Sequence, residues 1–374
     1  MTGTTTKAKA TCDPAADDLF DRLRLLRSRR VGIITYRRLL AEHGSARAAL
    51  DVLPEVARAA GVTDYKICPE GVIAAELKAG RAAGARLMAD DAADYPTTLQ
   101  EIEDAPPLIW TLGDTALLRK PMVALVGARN ASSLGTRMAK RMAQELAEAG
   151  HVVVSGLARG IDAAAHLGAL AGGTIAVQAG GVDVIYPTEN TDLAMKIAEQ
   201  GLRLSEMPMG LQPQARHFPA RNRIISGLAS AVVVVEAAAK SGSLITARNA
   251  LDQGREVLAV PSHPFDARAA GCNLLIRDGA RLVRSAADVI EALGQPAGPQ
   301  VLQPAPPPAL RTAPLADSAL VTAILRCLSP TPIAEDQLLR DIKAQATVAA
   351  PVLVDLELDG QIIRHPGGLL SRAV

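Results

Sequence analysis

From residue 123 onward the chain repeats one pattern: a short apolar run, then a longer stretch whose apolar residues return every three or four positions. The runs are VALVGA, HVVVSG, TIAVQA, LRLSEM, AVVVVEA, EVLAVP and ARLVRS. Most are apolar at consecutive positions and therefore on both faces, as parallel strands are when helices cover the sheet from either side. Between them, 136–149, 162–171 and 246–253 carry the helical period. Such β-α-β alternation predicts an open, doubly wound α/β sheet over residues 85–294.

The flanks read differently. Residues 1–16 are polar and small, which predicts a frayed tail. Residues 17–84 keep helical spacing, with a turn at Val31-Gly32 between two helices. Such a module either contacts nucleic-acid backbone through the N–H groups of its turn or serves as a packing or oligomerisation unit, the commoner role. Residues 295–316 are rich in Pro and Ala without periodicity, which predicts a semi-rigid linker. Residues 317–374 give three helices and a two-stranded wing, the order of a winged helix. Its third helix carries Asp355, Glu357 and Asp359 and no Lys or Arg, so docking of a partner, or a structural role, suits it better than insertion into DNA.

The formal net charge is only +1, so affinity for nucleic acid has to come from a local patch. Aromatics make up 2% of the chain, and one set among arginines therefore stands out. Cys12, Cys68, Cys272 and Cys327 are scattered without CxxC spacing, and the His residues show no HxxxH or HExxH spacing, so no metal site is expected. Scattered thiols suit a reducing cytosol, and the N-terminus has no apolar signal region. No stretch is apolar enough to span a membrane. The expectation is a soluble, cytoplasmic protein.

GxxxxGK[ST] is missing, and GARNASSLG after the first run is not GxGxxG, so neither a P-loop nor ordinary dinucleotide binding is expected, and no cofactor. What stands at the run ends is a series of Gly- and Ser-rich turns leading into helices. Arg129 with Ser132, Ser133 and Gly135 follows the first, and Gly156 to Asp162 the second. Gly180-Gly181 and Tyr186-Pro187 follow the third, and Lys240-Ser241-Gly242-Ser243 follows AVVVVEA. Helix N-termini offer unpaired N–H groups and a partial positive charge, so several on one rim could hold several phosphates. In HFPARNRIISGL, Phe218 reads as a loop aromatic, followed by Arg221 and Arg223 at a helix start. An unpaired base would stack on the ring while guanidinium groups pair with phosphate. The other reading has Phe218 plugging the core and the arginines paired with carboxylates.

The motifs GAR, SGLARGIDAAAH, GGVDVIYPTEN, SEMPMG, FPARNRIISGL, VVVVEAAAKSGSLITA, GREVLAVP and GCNLLIRDGA occur in this order. On these the stretch resembles the DNA-processing protein A family, also called Smf. The flanking modules resemble that family's sterile-alpha-motif-like and winged-helix domains. The resemblance implies an extended Rossmann-like fold that binds and protects single-stranded DNA. It also implies that the protein loads the RecA recombinase in natural transformation and recombination, forms a homodimer through the Rossmann-like domain, and catalyses no reaction. It further implies that Phe218 stacks on a base, that Arg129 reaches phosphate or base, and that Arg221, Arg223 and Lys240 hold backbone, with Ser241, Gly242 and Ser243 donating hydrogen bonds. Asn222 would fix the loop and Asp162 would orient a turn. Leu134, Ala179 and Ser262-His263 depart from the family's usual Tyr, Gly and PG, which leaves the charged contacts in place.

An enzyme is the alternative: a nucleotide-processing hydrolase of the phosphoribohydrolase-like class. Glu236 and the Lys240 turn stand at the comparable strand end, but the PGGxGTxxE loop of that class is missing. Glu206 and Glu236 fit a structural role, accepting from loop N–H groups.

Overall fold

The computed structural model describes residues 14–264, 266–294, 318–328, 330–342, 344–365 and 368–373. The expected linker at 295–316 and all of the expected tail before Pro14 lie outside them, as does Cys12. The chain divides into two compact units, Met1–Pro299 and Gln300–Val374.

The first unit opens with four helices, α1 (Pro14–Arg27), α2 (Ile33–His43), α3 (Ala46–Ala59) and α4 (Glu70–Ala82). Leu25, Tyr36, Leu39, Leu50 and Leu53 form a core shared by α1, α2 and α3, while Ile73 of α4 packs with Leu23 and Leu108. Ser45 caps α3 by accepting from the Ala48 N–H, and Gly44 ends α2 in the left-handed region at φ 74°. There follow β1 (Arg86–Ala89), the short α5 (Thr97–Gln100), β2 (Leu108–Gly113), β3 (Met122–Gly127), α6 (Ser133–Glu148), β4 (Val152–Ser155) and α7 (Ile161–Ala169). The chain continues with β5 (Thr174–Val177), α8 (Thr191–Gln200), β6 (Leu202–Ser205), α9 (His217–Leu228), β7 (Ala231–Glu236) and α10 (Ser243–Asp252). β8 (Glu256–Ala259), α11 (Ala270–Arg277), β9 (Arg281–Leu282) and α12 (Ala286–Ala292) complete the unit.

The strands form one sheet in the order β1-β2-β6-β5-β4-β3-β7-β8-β9. From β6 to β9 neighbours are parallel, as the doubly apolar runs imply. Val123 and Leu125 of β3 enter the core beneath α6 and α7, while Ala124 and Val126 enter the one that α9 and α10 cover. Successive residues of a strand point to opposite faces, so such a run is apolar throughout. The sheet is mixed, because β2 is antiparallel to β6 and β1 to β2. These two strands carry no run of the repeated pattern: β1 is four residues long and half exposed at the sheet edge.

The helical module packs on this antiparallel end. Arg27 donates to both oxygens of Glu76, at 3.1 and 2.9 Å, and the Trp110 indole donates to Glu76 at 2.9 Å. Arg37 donates to the carbonyls of Glu103 and Ala105, both at 3.1 Å.

The second unit contains α13 (Ser318–Cys327), β10 (Ile333–Ala334), α14 (Glu335–Asp341), α15 (Ala346–Leu358), β11 (Ile362–His365) and β12 (Leu369–Arg372). It is a winged helix whose sheet, β10-β12-β11, has one strand more than the expected wing. Ile324, Leu338, Leu353, Leu356, Ile362 and Leu370 are its buried core.

Candidate nucleic-acid interface

β3 is flanked by β4 on one side and β7 on the other, and the helices that follow β3 and β7 pack on opposite faces. The connections therefore part between β3 and β7, and open α/β sheets bind ligands in the crevice this creates beyond the strand ends. A cleft of about 620 Å³ lies there, bounded by the turns after β3, β4 and β7, the first turns of α9, and Arg268.

Arg129 leaves the β3 turn exposed, and its guanidinium carbon lies 5.1 Å from the centroid of the Phe218 ring, within cation–π range. Phe218 is not in a loop but is the second residue of α9. It is half-buried, with the Tyr186 ring 5.7 Å away and tilted by 53°. Arg129 and Phe218 border both the main cleft and a second recess of about 250 Å³ that also includes Arg159, Tyr186 and Glu189. Across the main cleft stands exposed Lys240 at the β7 turn. Neither Arg129 nor Lys240 has a carboxylate partner among the described residues. The Ser241 and Ser243 hydroxyls are 2.7 Å apart, exposed Gly242 precedes α10, and Asn222 steadies this turn by donating to the Gly242 carbonyl at 3.4 Å.

Arg221 is buried rather than presented on the rim, although it borders the cleft from below. Its Nη1 donates to the Val177 carbonyl at 2.8 Å, and its Nε has no partner. Burial lowers its pKa to about 10; Asp162 opposes that fall and Arg129 adds to it. The guanidinium therefore stays charged at neutral pH. Gly156 serves this arginine, since a Cβ there would sit 1.8 Å from Arg221 Nη1. Its own N–H is taken by Asp162 at 3.2 Å, so Gly156 has a packing role and no N–H to offer DNA, although it lines the second recess beside Arg129 and Phe218. Asp162 accepts from the Ala158 N–H too, at 3.3 Å, and so orients the turn as expected. Burial raises the pKa of its carboxyl, against the pull of Arg221. The same turn is held from below by His166, whose Nε2 accepts from the Leu157 N–H at 3.3 Å. Leu157 stands in the left-handed region at φ 56°.

Arg223 is a correction. It pairs with Glu206 at 2.6 Å and Asp104 at 3.1 Å and does not border the cleft. Two residues along a helix are roughly 200° apart around its axis, so Arg221 and Arg223 cannot share a face. Glu206 accordingly binds a guanidinium with its carboxylate and not loop N–H groups. Ser132 is another correction: its N–H and hydroxyl both donate to Glu236 Oε2, at 3.0 and 3.1 Å, and its Oγ caps α6 by accepting from the Gly135 N–H. Glu236 has the structural role expected of it. Ser133 is exposed on the first turn of α6, outside the cleft lining.

The structure adds Arg268 and Tyr186 to the site. Arg268 pairs with Asp266 at 2.9 Å and with Glu236 at 3.3 Å. It lies in the connection from β8 to α11, seven residues beyond the run EVLAVP and without a Gly-rich turn to mark it. Tyr186 stands in the GGVDVIYP turn of a chain poor in aromatics, which was a usable signal. Among the described residues no group of three or more His, Cys, Asp or Glu could hold a metal ion.

Comparison with known proteins adds the family. Residues 86–294 match the family described as DNA recombination-mediator protein A. Residues 16–79 match a DprA-like N-terminal HHH domain, and residues 303–368 a DprA winged helix domain. The DNA processing protein DprA of Streptococcus pneumoniae is 48% identical over 198 residues, 52% of this chain and 70% of its own. That of Bacillus subtilis is 44% identical over 220 residues, 58% of this chain and 74% of its own. The X-ray structure of the S. pneumoniae protein superposes with a TM-score of 0.65 at 36% identity, covering 73% of this chain and 97% of the other. DNA processing protein A of Helicobacter pylori, whose structure concerns its single-stranded DNA binding mode, gives 0.52 at 32% identity, over 56% of this chain and 95% of its own.

Proposed function

This chain belongs to the DNA recombination-mediator protein A family, and from that premise we propose that it binds single-stranded DNA in the cleft between β3 and β7. The observation that carries this reading is the placing of Arg129 over the half-buried Phe218 ring, across from exposed Lys240. A base stacks on the aromatic pair, Arg129 and Lys240 take the neighbouring phosphates, and Arg221 adds positive potential from beneath. The Ser241–Ser243 turn supplies hydroxyl donors. Every base has a π-face and every nucleotide a phosphate, so such a site binds without strong sequence preference. The H. pylori relative, 32% identical, supports this through the binding mode its structure concerns.

The strand so held is protected and passed to the RecA recombinase, in natural transformation or other homologous recombination. The protein acts as a homodimer through its Rossmann-like domain, in the cytoplasm. No helix among the described residues is long and apolar enough to cross a membrane. It works by binding rather than catalysis. Supporting this, the carboxylates of the rim are engaged: Asp162 by backbone amides, Glu236 by Ser132 and Arg268, and Glu206 by Arg223.

The test is fluorescence anisotropy of labelled oligothymidylate titrated with the protein at two salt concentrations, against a duplex of equal length. Tighter binding of the single strand that weakens with salt is expected. Equal binding of the duplex, or none of either at low salt, overturns the reading; in the second case nucleoside monophosphates are screened for hydrolysis.

A further inference from the structure

The parallel strands end on one rim, and the cleft occupies only its β7–β3–β4 portion. From β7 to β6 is four inter-strand steps, ~19 Å at about 4.8 Å each. At that far end β6 stops at Ser205 and the chain leaves through Glu206 into the loop 206–216, which leads to α9. The helical module meets the rim at this point. Both terminal nitrogens of Arg27, the last residue of α1, lie 3.5 Å from the Glu206 carbonyl oxygen. Arg37 of α2 binds the chain just before β2, whose start lies beside the end of β6.

The turn from α1 to α2 begins one residue beyond Arg27 and carries Arg29 and Arg30, both exposed. Neither guanidinium has a carboxylate partner among the described residues. The backbone that presents them is fixed, because the Arg29 carbonyl accepts from the Tyr65 hydroxyl at 2.6 Å and Arg30 stands in the left-handed region at φ 64°. Arg216, also exposed, stands at the other end of the loop, two residues before Phe218. Two carboxylates near this path are paired, Glu76 with Arg27 and Glu206 with Arg223, and Asp183 accepts from the Gly210 N–H at 2.9 Å. Arg216, Arg29 and Arg30 thus place exposed cations along a course that leads from the cleft, past Phe218, to the helical module.

We propose that a single strand seated in the cleft runs on along the loop 206–216 to the α1–α2 turn, where Arg216, Arg29 and Arg30 hold its phosphates. The helical module is then a second contact for the same strand, in addition to its packing role. This rests on the cleft being the primary site, and the two are separable by strand length. An oligothymidylate of about six nucleotides fills the cleft alone, and one of about thirty reaches the turn, given site sizes of roughly 4–16 nucleotides for comparable grooves.

The experiment compares both oligomers on the full chain and on Arg29→Gln/Arg30→Gln, which alters exposed side chains only. The variant is expected to bind the long strand about tenfold more weakly. Its salt dependence falls by about 1.4 in log–log slope, two phosphates at about 0.7 each, while the short strand binds as before. Arg29→Lys/Arg30→Lys restores the long strand, since charge and not geometry is needed at exposed phosphate contacts. Unchanged binding of both oligomers by the Gln variant, or equal loss of both, overturns the proposal. Failure of the unaltered protein to bind either oligomer removes the cleft reading itself, and this one with it.

Discussion

In the cleft at the ends of β3 and β7, Arg129 and Lys240 stand exposed without a carboxylate partner among the described residues. In the winged-helix unit, Arg364 of β11 is held between Glu335 at 2.6 Å and Glu357 at 3.1 Å. α15, the third helix of that unit, presents Asp355 and Glu357 on exposed positions, and exposed Asp359 follows at its C-cap. The second unit therefore lays carboxylates where a DNA-reading winged helix would lay cations. Exposed Val348, Val354 and Leu358 on the same helix suit a protein surface better than a phosphate backbone. A chain of net charge +1 gathers affinity for a polyanion by leaving particular cations unpaired, and a count of basic residues would have missed this.

The sharpest test of this contrast is Phe218→Ala, which removes the platform beneath Arg129 in a region where no other phenylalanine lines the cleft. Single-strand affinity is expected to fall by about 1–3 kcal/mol, roughly 5–150-fold. A lowered melting temperature with affinity intact would make the ring a core plug instead. Lys240→Ala comes next. It should weaken every single-stranded sequence alike, about fivefold or roughly 1 kcal/mol, and reduce the salt slope by about 0.7. Arg364→Ala should change neither quantity. Matching losses from Lys240→Ala and Arg364→Ala would break the comparison, because the paired cation would then serve DNA as the unpaired one does.

Much of this was legible in the residues. Consecutive apolar positions betray buried parallel strands, and an Asp in the first turn after a Gly-rich connection betrays a carboxylate that ties up amides, as Asp162 does. The Gly-rich turns and Lys240 could be placed at strand ends for the same reason. What failed did so for local physical causes. The start of α9 carries no cap signal: its N-cap is Arg216, no side chain caps it, and no acidic residue lies in its first turn. With the true start at His217 unmarked, the helix read as beginning near Arg221 and Arg223, and Phe218 as a loop residue before it. Gly156 read as a backbone donor because the guanidinium that needs its missing Cβ comes from a residue far along the chain. Arg29 and Arg30 gave no sign of nearness to the rim, since the contacts that bring their turn there, Arg27 with Glu206 and Arg37 with Glu103 and Ala105, join residues far apart in the chain.

Arg223→Gln, like Arg364→Ala, should leave DNA binding unchanged, and because Arg223 stands only two residues from Arg221 of the cleft it bears most directly on the distinction between paired and unpaired cations. The Arg223 side chain is 11% exposed and that of Glu206 15%, and burial already raises the Glu206 pKa against the pull of Arg223. Removing the guanidinium leaves a carboxylate in a site that disfavours its charge, a loss of about 3 kcal/mol for a buried pair. Asp104, 51% exposed, is screened by water and adds little to that loss. Stability in urea should therefore drop while the affinity of the folded protein for oligothymidylate stays as it was. The stability penalty should shrink as pH falls and the stranded Glu206 takes a proton, because protonation removes the charge that burial penalises. Substituting Glu206→Gln in the same chain should have the same effect at neutral pH. If Arg223→Gln instead loses affinity at undiminished stability, a cation with two carboxylate neighbours is still reaching DNA, and pairing no longer separates the binding surface from the scaffold.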